Sequence, residues 1–248
     1  MAKVINLVES YVGKAGTSLF ASLLMEFLSD PRYKQCEPIL VDLDKINPDV
    51  ATRYRSTCMV EDRISLNPTD NKRTSSIDYL LSLAYENDTE VVVNVPSGAF
   101  DLIQDFIQEN ELPPVILRRW FVSNLDDRSW DIFKSITYSF EDKFRLILVH
   151  NLVDGLMMSA DQEVDCGITT EIDDIDDIDD DASVDNTAIK IIRLSSLQLS
   201  DKDLSILAAK PNLPLSQVVG LLSERGKKAA TVHFGRVFEQ MYPIILGE

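Results

Sequence analysis

Apolar residues run almost unbroken over positions 3–9 (KVINLVE), 38–43 (PILVDL), 90–94 (EVVVN), 115–122 and 144–150 (FRLILVH). Runs this short, bounded by turn residues, predict strands buried on both faces of a parallel sheet. Between them the apolar spacing becomes helical, over 19–28 (LFASLLMEFL), 77–85, 101–109 and 128–140 (RSWDIFKSITYSF). Pro31 stops the first helix, because its ring disfavours α geometry at Asp30. Asp126 or Asp127 is placed to cap the helix over 128–140. Residues 49–71 are mixed, with a turn at Asn67-Pro68. Strand and helix alternate five times in the first 150 or so residues, which predicts a doubly wound, mostly parallel α/β sheet with helices on both faces.

The rhythm breaks after Gly155. Ile172, Ile175 and Ile178 repeat every three residues among Asp pairs, with too little apolar surface to fold. A disordered acidic insertion is expected over 159–186. Beyond it, 189–194 (IKIIRL) reads as a strand, and 201–208, 215–222 and 229–242 as helices completing the outer layer. The whole chain, 1–248, is expected to form a single three-layer domain around one core, which 248 residues with 45% hydrophobic content can bury.

Charge changes the picture of partners. The net charge is −17, but residues 161–181 hold eleven acids and no Lys or Arg, which leaves −6 on the rest of the chain. The insertion is either a solvated segment, the favoured reading, or a docking tail for a basic partner or a DNA mimic. It contains no EF-hand loop, so calcium is not expected. Arg225, Lys227, Lys228 and Arg236 form the basic cluster near the C-terminal helix. It is read as a solvated face, and weak nonspecific DNA binding through it is disfavoured by the acidic remainder. Cys36, Cys58 and Cys166 show neither disulfide nor zinc spacing. The absence of a long apolar run and of a leader pattern predicts a cytoplasmic protein with no membrane contact.

Candidate chemistry gathers where the first strand runs into 11–18 (YVGKAGTS). A helix N-terminus there presents free N–H groups and partial positive charge to an anion. The segment departs from GxxxxGK followed by Ser or Thr: Gly13-Lys14 is followed by Ala15. Taken together, VINLVES-YVGKAGTS-LFASLL, then ILVDLD, then EVVVNVPSG, resemble the ParA/MinD family of ATPases, which carry a deviant Walker A loop, an Asp at the end of the second strand and Asp-x-Pro-x-Gly after the third. The three motifs keep the family's order and spacing over roughly the first 100 residues, and Asn151 and Asp154 extend the similarity.

Aligned without a gap, Tyr11 stands where the family has its signature lysine, Gly16 where it has the phosphate lysine, and Thr17 at the Mg²⁺ hydroxyl. A shift of three residues brings Lys14 to the signature position but puts Leu19 and Phe20 at the second lysine and the hydroxyl. Neither frame keeps both lysines. The resemblance implies phosphate binding by Gly13, Lys14, Ala15, Gly16, Thr17 and Ser18, and adenine recognition at Asn151. It also implies Mg²⁺ held through Thr17 and Asn94, with Asp42 positioning water. Asn94 replaces a carboxylate with a neutral amide, so Mg²⁺ and ATP or ADP are expected to bind weakly or not at all.

Each residue also has a plainer reading. Asp42 and Asp44 serve equally as strand-end turn residues, and Asn151 as a strand-end amide satisfying loop backbone. Arg118-Arg119 beside Trp120 either lines an anion site or, as favoured, pairs with local carboxylates. His150 and His233 lack catalytic partners and are read as packed or surface residues. The family expectation is a partition or mobilisation protein with weak or absent hydrolysis, a protein partner, and a homodimer across the loop face. The rival is a non-catalytic interaction or scaffold protein that uses the same face, as a docking surface or a structural pocket, together with the acidic insertion, to bind a partner. A dinucleotide enzyme ranks low because the first turn lacks GxGxxG.

Overall fold

A computed structural model describes residues 3–34, 36–61, 64, 73–109, 115–139, 144–152, 190–195 and 197–247. The strands among them are β1 (Val4–Glu9), β2 (Ile39–Asp42), β3 (Val60–Glu61), β4 (Val91–Asn94), β5 (Ile116–Ser123), β6 (Arg145–Asn151) and β7 (Lys190–Leu194). They form one sheet in the order β3-β2-β4-β1-β5-β6-β7, and every neighbouring pair is parallel. The doubly wound α/β fold expected from the sequence is therefore present, with the first strand at the centre. The expected acidic insertion at 159–186 lies outside the described residues.

The strand runs are apolar throughout because successive residues face different helical layers. Ile5, Leu7, Val91, Val93, Leu117, Phe121 and Leu148 pack under α3 (Arg73–Glu86), α4 (Phe100–Glu109) and α5 (Asp127–Ser139). Val8, Leu40, Val92, Trp120, Ile147 and Val149 pack on the other face, under α1 (Thr17–Ser29), α7 (Leu215–Val219) and α8 (Glu224–Ile245). α1 lies deepest: Phe20, Leu23, Leu24, Phe27 and Leu28 are fully buried. Each such side chain contributes about 1.5–3 kcal/mol of transfer free energy. This burial fixes the helix that carries the loop against the sheet.

The ends of the helices follow local chemistry. α1 stops at Asp30, whose backbone is extended ahead of Pro31. Asp126 caps α5 by accepting from the Ser129 N–H at 2.9 Å. α8 begins at Glu224, five residues before the apolar spacing suggests, because Ser223 caps it through the Gly226 N–H. The buried Asp203 of α6 (Asp201–Ala209) ties this cap to its own: its carboxylate accepts from Ser200 Oγ, Ser223 N and Ser223 Oγ at 2.7–2.8 Å. The mixed segment 49–71 contains α2 (Asp49–Tyr54) and β3.

Candidate functional site

The residues singled out from the sequence meet at the carboxyl edge of the sheet, where open α/β sheets bind their ligands. β1 ends at Glu9, and the loop from Ser10 to Gly16 leads into α1. Asp42 and Asn94 close the two neighbouring strands in register with each other, and Asn94 pairs with Val8 of β1. Asn151 closes β6.

The loop is held from inside. Ser10 Oγ donates to the Val12 carbonyl at 3.1 Å and accepts from Thr17 Oγ1 at 2.8 Å. Lys14 and Gly16 have positive φ, 68° and 99°. Gly is the residue that takes this conformation without steric cost. Lys14 is exposed, whereas Ala15 is buried. Asn151 Nδ2 donates to the Ala15 carbonyl at 2.7 Å. A Cβ at Gly16 would lie 2.6 Å from that same Nδ2, so the loop tolerates no side chain there while Asn151 is in place. A Cβ at Gly13 would face Ser97 Oγ at 3.7 Å, an ordinary contact. Ser18 accepts from Ser22 Oγ through its carbonyl at 2.8 Å and is half-buried in the first turn of α1.

Asp42 is buried and both of its carboxylate oxygens accept hydrogen bonds. Oδ1 accepts from the Asp44 N–H at 3.1 Å and Asn94 Nδ2 at 3.0 Å, and Oδ2 accepts from the Ala51 N–H at 2.9 Å. Burial pushes its carboxyl pKa up against these hydrogen bonds. Asp42 thereby caps α2 from across the β2–α2 turn. Asp44 accepts from the Ile46 and Asn47 N–H groups and shapes the same turn. The Oδ1 of Asn94 is buried with no hydrogen-bond partner among the described residues. For the Mg²⁺ that the resemblance implies, the edge thus offers two neutral oxygens, Thr17 Oγ1 and Asn94 Oδ1, beside a carboxylate already committed to N–H donors. Such a set fits a hydrated Mg²⁺ only weakly, because hard cations draw most of their affinity from anionic oxygen.

One contact at the edge has no counterpart in the sequence reading, and a second supplies the partner that reading left unnamed for Arg119. Tyr11 stacks edge-on against Phe100 with centroids 5.5 Å apart, and Arg128 lies over its ring at 4.8 Å while donating to its hydroxyl at 2.8 Å. Only the three-dimensional approach of α5 to the loop creates that pair. Glu9 and Arg119 form a fully buried ion pair at 2.6 Å, and Arg119 Nη1 also donates to Gln104 of α4 at 2.7 Å. Here a signal was present, since opposite charges inside two fully buried strands need each other. On the other face, Arg118 pairs with Glu90 at 3.3 Å, and Asn6 joins Glu90 to Trp120 Nε1. Both arginines therefore meet local carboxylates.

His150 and His233 are buried, and burial lowers the His233 pKa, with Arg236 adding to the effect. Two clefts of about 490 and 380 Å³ lie at the opposite, amino edge, sharing Lys34, Cys36, Asp88 and Thr89. They do not involve the loop. No described helix is long and apolar enough to cross a membrane. No protein-family model matches the chain, and no curated protein matches it.

Proposed function

We propose that this chain is a ParA/MinD-like switch protein, serving plasmid partition, mobilisation or cellular positioning in the cytoplasm, that binds ATP or ADP weakly and hydrolyses ATP slowly or not at all. One observation carries the reading: a strand–loop–helix with left-handed Lys14 and Gly16, at the centre of a parallel sheet, has Thr17, Asp42 and Asn94 at the same edge. Backbone N–H groups of Gly13 to Ser18 would hold the phosphates at the start of α1. Thr17 and Asn94 would face the Mg²⁺, which neutralises charge on the transferring phosphoryl group, and Asp42 would orient water. Phosphoryl transfer depends on positioning and charge neutralisation, so the loss of the lysine at position 16 and the carboxylate at position 94 lowers the rate by orders of magnitude. A protein partner and a homodimer across the loop face belong to this reading.

Thermal unfolding with Mg·ATP and Mg·ADP tests it. A ligand at 100-fold its Kd adds about 2.7 kcal/mol of stability. An upward shift at millimolar nucleotide supports the switch. No shift sinks it and leaves the second reading, a non-catalytic interaction protein. The engagement of both Asp42 oxygens and the contact of Asn151 with the loop favour that alternative.

A further inference from the structure

Arg128 is the second residue of α5, and the fold carries it onto the loop that leads into α1. β5 lies beside β1 in parallel register, with Phe121 opposite Glu9, so the turn into α5 leaves the sheet at the same edge as the loop. There the exposed Arg128 donates from Nη2 to the Tyr11 hydroxyl at 2.8 Å, and its guanidinium lies over the Tyr11 ring at 4.8 Å. No carboxylate pairs with it among the described residues. The phenol is neutral, so Tyr11 fixes the guanidinium without cancelling its charge and leaves most of its five donors open. The turn that delivers Arg128 is strained. Leu125 has a φ of 60°, and it and Lys14 are the non-glycine residues with positive φ among the described residues. A bulky side chain takes that conformation only where its surroundings impose it, and such residues gather at functional sites. Here Ser123 Oγ accepts from the Leu125 N–H at 2.8 Å, Leu125 is buried, and Asp126 caps α5. Both strained residues lie in the two segments that Tyr11 and Arg128 join.

We propose that Arg128 is a phosphate-binding residue of the carboxyl edge, whose guanidinium contacts the outermost phosphate of a nucleotide held by the N–H groups of residues 13–18. This inference rests on the switch reading for its ligand. Residues 10–18 contain one cation, Lys14, and the oxygen that Asn94 leaves without a partner at this edge is neutral. Arg128 adds a second positive charge, brought from 117 residues away in the chain. A planar guanidinium meets phosphate oxygens with two parallel N–H bonds. A donor that the Tyr11 ring and hydroxyl already hold in place loses less freedom on binding than a free one. Because the contact is between charges, its contribution grows with the charge of the ligand and falls as salt is added.

The test titrates the full-length protein, Arg128→Gln and Arg128→Lys with Mg·ADP and with AMP, each at low and at high salt. Arg128 is exposed, so neither variant disturbs the core. Arg128→Gln should bind Mg·ADP about tenfold or more weakly, the factor to which a hydrogen bond to a charged group corresponds, lose less for AMP, and show a smaller salt dependence. Arg128→Lys keeps the charge without the fork and should recover part of the loss. Unchanged affinity of Arg128→Gln overturns the assignment while leaving the switch reading in place. An equal loss for Mg·ADP and AMP, with the salt dependence intact, also overturns it, because Arg128 would then act by holding Tyr11 and the loop instead of touching phosphate. Absence of binding of either nucleotide to the natural protein removes the switch reading, and the role of Arg128 with it.

Discussion

Asp42 shows how one side chain can have a structural duty where a catalytic one is expected. Its carboxylate accepts three N–H groups, two of them backbone: the half-buried one of Asp44 in the turn and the buried one of Ala51 in the first turn of α2. Truncation in Asp42→Ala leaves those donors without an acceptor, which costs about 1–3 kcal/mol. Asp42→Asn is milder. If the amide of Asn94 reverses, its orphaned Oδ1 accepts from the new carboxamide while Ala51 keeps an oxygen, so the loss stays near 1 kcal/mol. Urea denaturation at pH 7 measures both. The pH dependence has a definite sign. Burial raises the folded pKa of Asp42, so the contribution is complete below the unfolded value of about 3.9 and is lost as pH rises through the folded value. Stability of the natural protein relative to Asp42→Asn should therefore fall across that window and stay flat above it. A rise would contradict the assignment of burial as the cause.

At the scale of elements, the Glu9–Arg119 pair joins three of them, since Arg119 of β5 reaches both the end of β1 and Gln104 of α4. Glu9 Oε2 and Arg119 Nη2 have no hydrogen-bond partner among the described residues, so the pair is neutralised without being fully satisfied. Removing one partner strands a buried charge, and Glu9→Leu or Arg119→Met alone should each cost about 3–5 kcal/mol. The double variant should lose clearly less than the sum. Additive losses in a denaturant double-mutant cycle would show that the two side chains act independently.

The same scale explains what could be read from the sequence. β1, β2, β4, β5 and β6 were legible because strands buried on both faces leave short, nearly unbroken apolar runs. α2 and β3 were not: one is six residues long and capped by the distant Asp42, the other is two residues paired among the described residues to β2. Their stability comes from tertiary contacts that leave no periodic signature. The candidate site was legible as a set of positions, Thr17, Asp42, Asn94 and Asn151 at strand or helix ends. Which of them bond to each other depends on strand order, and strand order is not written in any local pattern.

For the whole molecule the decisive quantity is the distribution of charge. Eleven of the acids lie in residues 161–181, within the connection from β6 to β7, and the rest of the chain carries only −6. If the protein works by docking a basic partner, that segment supplies most of the attractive field. The field acts within a Debye length of about 8 Å at physiological salt and shows itself mainly in association rate and salt dependence. Deleting 161–181 shortens the connection by roughly half and removes no residue of the described strands and helices. The unfolding midpoint should therefore barely move. Capture of a polybasic partner, measured as association rate at increasing salt, should fall and lose most of its salt dependence. If capture and its salt slope are unchanged while the midpoint holds, the acidic segment takes no part in recognition, and any partner must be sought at the loop edge instead.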